Sequence, residues 1–400
     1  VYGDVIIGVH GENFSMMFDK KEGGISSLRY NGFEYITRTP KVSFWRAMTD
    51  NDTGASEPYN LAQWYSAGKF AKYKTVSWLE QEDALKITFT YQAACVPTFE
   101  FTVTYTAHFD GKLGVSVNYA GVSGMSDMPV LALDFKMKKQ LCNFQYYGLG
   151  PDENYSDRCK GARLGLWKST AKENLSGYLN PQECGNRTGV RTLSVHDDMQ
   201  HGLTFQKASA PFEMSVLPYS AYELENAMHL DELPSVRYTW VRIAAKQMGV
   251  GGDDSWGAPV HEEYRIHADQ PMKLEFVIMP LRSYEERKAM KIQDFQDKVT
   301  YGGFDNIFAN IYKPQDIESQ KSRYMSAVEK FTALYPNRND IHVYSAPGRT
   351  EIGGNHTDHQ HGCVIAGAVD LDVIGVAAFH HENIIRIKSE GYDEFAVSLD

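Results

Sequence analysis

Residues 84–119 read ALKITFTYQAACVPTFEFTVTYTAHFDGKLGVSVNY, and this stretch decides the fold. Leu85, Ile87, Phe89 and Tyr91 alternate with Lys86, Thr88 and Thr90, while Phe99, Phe101, Val103 and Tyr105 alternate with Glu100, Thr102 and Thr104. A period of two turns one set toward a core and the other toward water, as antiparallel strands require. Asp110-Gly111 tolerates positive φ, and Leu113, Val115, Val117 and Tyr119 resume the spacing after it, so a hairpin is predicted there. Leu131, Leu133, Phe135 and Met137 repeat the rule. With Gly-rich turns recurring between such runs, residues 1–284 are predicted to form a mainly β module, a large antiparallel β-sandwich.

The pattern changes after Tyr284. Residues 285–300 are charged and helix-permissive, and Tyr324, Val328, Phe331 and Tyr335 fall on one helical face after Asp316. Ile341 to Tyr344 reads as a short strand that Pro347-Gly348 breaks. Val364 to Phe379 and Ile384 to Lys388 supply further buried segments, the former strand or helix. Residues 285–400 are therefore predicted to be a separate α+β domain.

A length of 400 residues suits two to three domains. A net charge of -11 with no basic run interleaved with aromatics excludes nucleic acid as a partner. The most apolar stretch, Val364 to Phe379, is interrupted by Asp370 and Asp372 and is too short to span a bilayer, so no membrane partner is expected. Cys95, Cys142, Cys159, Cys184 and Cys363 form an odd, scattered set without a CxxC pair, which points to a reducing cytoplasm rather than a disulfide framework or zinc ribbon. Val1 at one end and a pattern still running at Asp400 suggest a fragment cut at both ends.

Four ordered blocks carry a specific resemblance: FWRAMTDNDTG at 44–54, YGLGPDENYSDR at 147–158, NPQECGNRTGVRTLSV at 180–195 and GVGGDDSW at 249–256. On these the first half resembles the C-terminal small-chain domain of glycoside hydrolase family 2 β-galactosidases. The resemblance implies the β-supersandwich shared with galactose mutarotases. It also implies a catalytic barrel as partner, whose pocket for galactose or a galactoside this module closes on one side.

Hydrolysis with retention needs two carboxylates about 5 to 5.5 Å apart, and no such pair is defensible in this half. Glu153 and Asp157, beside Arg158, read as structural charges. By the resemblance, Trp256 offers its ring as a stacking face for sugar. Asp50, Asn51 and Gly54 are turn formers by type. The resemblance makes them part of a sugar-side loop continuing through Ser56 and Glu57, with Gly54 as hinge. The glycines of 249–256 lack the strand-to-helix setting and following Lys of a phosphate loop.

Residues 346–362, APGRTEIGGNHTDHQHG, carry a second resemblance, to the N-terminal, sugar-binding part of galactokinases, covering residues 290–400. The family pattern GRxNxIGEHTDY appears here with Asn and Glu exchanged, giving Glu351 and Asn355. An amide both donates and accepts where a carboxylate only accepts, so Asn355 is expected to keep a weaker contact to the sugar's outer hydroxyl. The resemblance makes Asp358 a bidentate acceptor for ring hydroxyls, Arg349 a charge near the phosphoryl-transfer centre, and His356 part of the sugar loop. It implies ATP and Mg²⁺ as cofactors of the intact kinase, whose phosphate loop lies downstream of this segment in the family. A metal site at His356, Asp358, His359 and His361 is not expected.

Three functions compete. One is a fusion for galactose and lactose metabolism, joining a β-galactosidase C-terminal domain to the start of a kinase that forms galactose 1-phosphate, the chain itself being inactive. Another is the small subunit of a split β-galactosidase, and the third is a non-catalytic carbohydrate-binding β-sandwich protein. Association into a homo-oligomer stays open at this stage.

Overall fold

A computed structural model describes residues 1–254, 257–281, 290–353, 365–380, 382 and 384–398, with the side chains at 306, 310, 347–353 and 365–371 left aside. The chain divides into two compact units, Val1–Ser283 and Tyr284–Asp400.

In the first unit the 84–119 stretch forms three neighbouring antiparallel strands, Ala84–Gln92, Glu100–His108 and Leu113–Tyr119. Phe89 lies opposite Val103, and Val103 opposite Val117, so the apolar positions share one face. Phe101, Val103, Tyr105 and Ala107 are all buried, as a period of two demands. Gly111 at φ 89° makes the turn, and the Asp110 carboxylate accepts from the Lys112 amide at 3.0 Å. These strands belong to a nine-stranded sheet that continues through Met272–Pro280, Gly202–Lys207, Thr192–His196 and Asn143–Gly150 to Arg163–Thr170, with Lys72–Glu80 at the other edge.

The fourth run, Val130–Lys138, does not join this sheet. It pairs with Tyr238–Gln247 and Lys41–Ser43 in a five-stranded sheet completed by Phe212–Leu217 and Arg187–Val190. Phe135 from this sheet meets Phe205 and Phe276 from the nine-stranded sheet at ring-centroid distances of 5.3 and 6.2 Å, so the sandwich core lies between the two. Burying each such ring contributes roughly 1.5–3 kcal/mol. A four-stranded meander, Ile6–His10, Phe14–Asp19, Gly24–Tyr30 and Phe33–Glu34, is tied on by the Tyr30 hydroxyl, which donates to the Gly111 carbonyl at 2.7 Å.

The other face of the five-stranded sheet is polar. Ser215 and Asp134 both sit opposite Arg242 in register. The Arg242 guanidinium grips the Asp134 carboxylate through two bonds of 2.8 Å, a fork geometry suited to a desolvated pair.

In the second unit, helices Ile292–Thr300, Asp305–Ile311 and Ile317–Leu334 pack on an antiparallel sheet of Met290–Lys291, Asp340–Gly353 and Ile365–Ala377. Tyr324 and Val328 on the long helix bury against Phe295, Phe308 and Ile341. Asp372 accepts from Ser345 Oγ at 2.6 Å, Tyr312 OH at 2.5 Å and Arg323 Nη1 at 2.8 Å, which pins two helices to the sheet. Pro347-Gly348 does not end the strand as its sequence predicts. Pro347 still lies opposite Asp372, and the pairing shifts register at an irregularity between Pro347 and Arg349, where Gly348 drops out of the pairing, and continues to Gly353. The hairpin Ile384–Ile387 with Phe395–Ser398 completes an α+β order. No helix among the described residues is long and apolar enough to cross a membrane.

Since the first unit closes its own core, residues 1–283 expressed alone should melt in one cooperative transition, with near-ultraviolet dichroism and far-ultraviolet dichroism tracing the same curve.

Candidate functional site

The polar face of the five-stranded sheet is where the four sequence blocks meet. Within the first block, Asp50–Gly54 forms a single helical turn capped by Thr49: its hydroxyl accepts from the Asp52 amide at 3.0 Å, and Asp52 Oδ2 accepts from the Thr49 amide at 3.0 Å. This reciprocal pair leaves Asp52 Oδ1 free to accept from Arg46 Nη2 at 2.9 Å. Arg46 and Asp52 are 0 and 1% exposed, so the ion pair is fully desolvated. Arg46 then donates to the carbonyls of Met248 and Gly249, the latter at 2.8 Å, which ties the first block to the fourth.

Neighbouring bonds extend the same clamp. Asn51 Nδ2 donates to the Val250 carbonyl at 3.0 Å. Gln182 of the third block accepts from the Asp50 amide at 3.1 Å and returns a bond to its carboxylate at 3.0 Å. Asp157 of the second block accepts from the Gly251 amide at 2.7 Å. A Cβ at Gly249 would sit 2.5 Å from that carboxylate, and one at Gly257, φ 125°, would sit 2.5 Å from the Gly54 carbonyl, so both positions need glycine.

Beneath the clamp lies a buried charged layer. Gln247 Nε2 donates to Glu183 Oε1 at 3.0 Å, and Asn186 Nδ2 to Glu213 Oε2 at 3.0 Å. Two guanidiniums, Arg46 and Arg242, face three carboxyls, Asp52, Asp134 and Glu183, while the nearby Glu213 feels the Lys246 ammonium instead. Burial pushes the Glu213 carboxyl up to about 7, only partly offset by the Asn186 bond, and burial also raises Glu183 against the pull of Arg242.

Glu153 turns away from chemistry. Burial pushes its carboxyl up, but the Tyr178 hydroxyl, the Gly185 amide and Arg158 outweigh that and hold it below the usual carboxylate range. Those donors, at 2.6, 2.7 and 2.5 Å, with Ser176 Oγ at 3.0 Å, occupy both oxygens.

Beside the clamp is a cavity of about 500 Å³, bordered by Ala55, Glu57, Asn60, Asp127, Gly257 and Arg265. Arg265 reaches Asp127 at 2.9 Å and Glu57 at 3.5 Å, and His267 Nδ1 lies 3.0 Å from Asp127. The left-handed backbone of this loop falls at Ser56, φ 62°, rather than at Gly54.

With this geometry in view, comparison with known proteins is decisive for the first unit. The family model for the β-galactosidase small chain matches residues 10–278. The chain belongs to the β-galactosidase small-chain family. It is 35% identical over 308 residues to the β-galactosidase small subunit of Latilactobacillus sakei, covering 70% of this chain and 96% of that protein. It is 45% identical over 281 residues to a β-galactosidase of Halalkalibacterium halodurans, and there it spans only 28% of the relative's length. A galactose mutarotase-like protein from Lactobacillus casei aligns with 69% of this chain and 99% of its own at 12% identity and a TM-score of 0.36. The galactokinase galactose-binding signature matches residues 329–379.

Of the small chain's predicted site residues, Asn51 is held against Val250 of the fourth block, Asp50 against Gln182 of the third and Gly54 beside Gly257, while Trp256 lies outside the described residues, two positions beyond Asp254. Arg349 is placed in the strand Asp340–Gly353 by its backbone, and Asn355, His356 and Asp358 lie outside the described residues. Sequence reasoning missed Arg46, Gln182, Asp127 and Arg265. Arg46 and Gln182 stood inside two blocks that carried the resemblance, but Asp127 and Arg265 had no local signal, being 138 residues apart.

Asp52→Ala should remove a cap and strand the Arg46 charge, lowering unfolding free energy by about 3–5 kcal/mol in urea titrations, with Asp52→Asn losing less. Glu213 gives a pH test. The folded chain holds its proton up to about 7 while the unfolded chain releases it near 4.5, so the unfolded state binds fewer protons in that window and stability falls as pH rises through it. Glu213→Gln keeps the Asn186 bond and removes this slope. Its stability relative to the parent should grow from near zero at pH 4.5 toward an upper bound of about 3 kcal/mol above pH 7, read from denaturant midpoints across pH.

Proposed function

We propose that residues 1–283 act as the non-catalytic small chain of a β-galactosidase, closing one side of the galactoside pocket of a separate catalytic barrel. The observation that carries this reading is the alignment across 96% of a protein that is itself a β-galactosidase small subunit. The site supports it. Four blocks converge on one rigid clamp beside a polar cavity with charged and amide side chains, chemistry that suits a hydroxyl-rich ligand, and the turn after Gly249 leads directly to Trp256. Glu153 and Asp157 are both engaged in holding backbone or neighbouring side chains, which suits support rather than proton transfer.

The signature over residues 329–379 favours a second reading for the other unit, a galactose-binding segment of the galactokinase type. In it Arg349, Asn355, His356 and Asp358 contact sugar or the transferred phosphoryl group, and ATP and Mg²⁺ are the cosubstrate and metal. Joined, the two units would serve galactose and lactose use in one polypeptide. The thiols of Cys95, Cys142, Cys159 and Cys184 are free, which suits the cytoplasm.

Alone, the purified chain should leave a chromogenic galactoside untouched. Mixed with a β-galactosidase catalytic barrel chain expressed without its own small-chain part, it should restore hydrolysis, and failure to restore it with any barrel from the 45%-identical class of relatives would overturn the reading. Trp256→Ala should keep the melting temperature and raise KM in the reconstituted enzyme about fivefold, the equivalent of ~1 kcal/mol of lost stacking.

A further inference from the structure

The turn that leads to Trp256 and the helical turn at Asp50–Gly54 are separate in sequence, yet the bonds between them form a closed circuit. Arg46 holds Asp52 on one side and the carbonyls of Met248 and Gly249 on the other. Asn51 holds Val250. Asp157 approaches from a third segment and takes the Gly251 amide at 2.7 Å. Among the described residues that bond is its only polar contact, since its Oδ1 is buried without a partner.

The loop beyond is drawn tight at its base. A Cβ at Gly252 would lie 2.3 Å from the Ala258 carbonyl, and the Ala258 amide donates to Asp254 Oδ1 at 3.2 Å. Gly257 in turn abuts the Gly54 carbonyl. Gly252, Asp254 and Ala258 therefore form a tight neck, and Gly257 beside it is seated on the end of the 50–54 turn.

We infer that Asp157 is a positioning residue, which with Arg46 locks the Met248–Asp254 turn and the Asp50–Gly54 turn into one body and so fixes the neck that Gly252 and Ala258 form on the sugar side of the small chain. A carboxylate suits the task because an ionised acceptor on a backbone amide makes a bond roughly twice as strong as a neutral one. A carboxylate retained for fold stability alone would be expected to satisfy both oxygens, as Glu153 does.

This inference rests on the small-chain reading, and its test separates the two. Amide hydrogen exchange on the full chain comes first and needs no barrel. Asp157→Ala should speed exchange of the Gly251 amide and of the amides in 50–54 at least tenfold with the melting temperature within about 2 °C of the parent. Asp157→Asn, whose Oδ1 still accepts from Gly251, should restore protection, and Asp157→Leu, which fills the space without an acceptor, replaces the alanine variant if that one fails to fold. Faster exchange at Gly251 with no change in 50–54 would overturn the coupling.

In the reconstituted enzyme, Asp157→Ala should raise KM for a galactoside at least fivefold, leaving kcat within twofold and the affinity for the barrel chain unchanged. An unchanged KM with weakened assembly would reduce Asp157 to a structural role and overturn the inference. A parent chain that fails to activate any barrel counts against the small-chain reading, while the exchange result still decides the coupling.

Discussion

The desolvated pair of Arg46 and Asp52 is the constraint on which the polar half of the first unit depends. Arg46 has no exposure, and its two terminal nitrogens reach a carboxylate on one side and two backbone carbonyls on the other, while its Nε is buried without a partner. Because the guanidinium is planar and its donors are fixed in a fork, satisfying all three acceptors admits little freedom in the distance between the 50–54 turn and the 248–251 turn. Burying such a pair is weak evidence for stability in itself. Its effect is geometric: two loops from distant parts of the chain are held as one surface.

That surface stands on a layer with more carboxyls than guanidiniums. Arg242 is shared between Asp134 and Glu183, and Arg46 is occupied by Asp52, so Glu213 is left with an amide partner and keeps its proton to about 7. Retaining the Glu213 proton reduces the excess of negative charge in the layer, to which the Lys246 ammonium also adds an attraction. Polar groups can sit so deep because both faces of the five-stranded sheet are covered, one by the aromatic core around Phe135 and the other by the motif blocks.

Much of the fold was legible in order. The alternation at 84–91, 99–105 and 113–119 and the Asp110-Gly111 turn determined three adjacent strands, since a period of two and a positive-φ pair have few other physical solutions. The run at 131–137 was recognisable as a strand but not as a member of the opposing sheet, because periodicity specifies a buried face and not a pairing partner. Pro347-Gly348 misled for a related reason: a proline removes one donor, and whether a strand ends there depends on the neighbour that supplies or withholds a bulge.

The candidate site divides in the same way. By itself the sequence determined the four blocks, their order, and the family they identify, since short runs of Gly, Asx and aromatic residues keep their meaning wherever the chain goes. Only the tertiary structure decided that Arg46 joins Asp52 to Met248 and Gly249, that Asp157 faces Gly251 rather than Arg158, and that Asp127 and Arg265 border one cavity. Those contacts join residues about 90 to 200 positions apart in several cases. Their distances are set by how two sheets stack and which loops cross the polar face, and no local propensity carries that information.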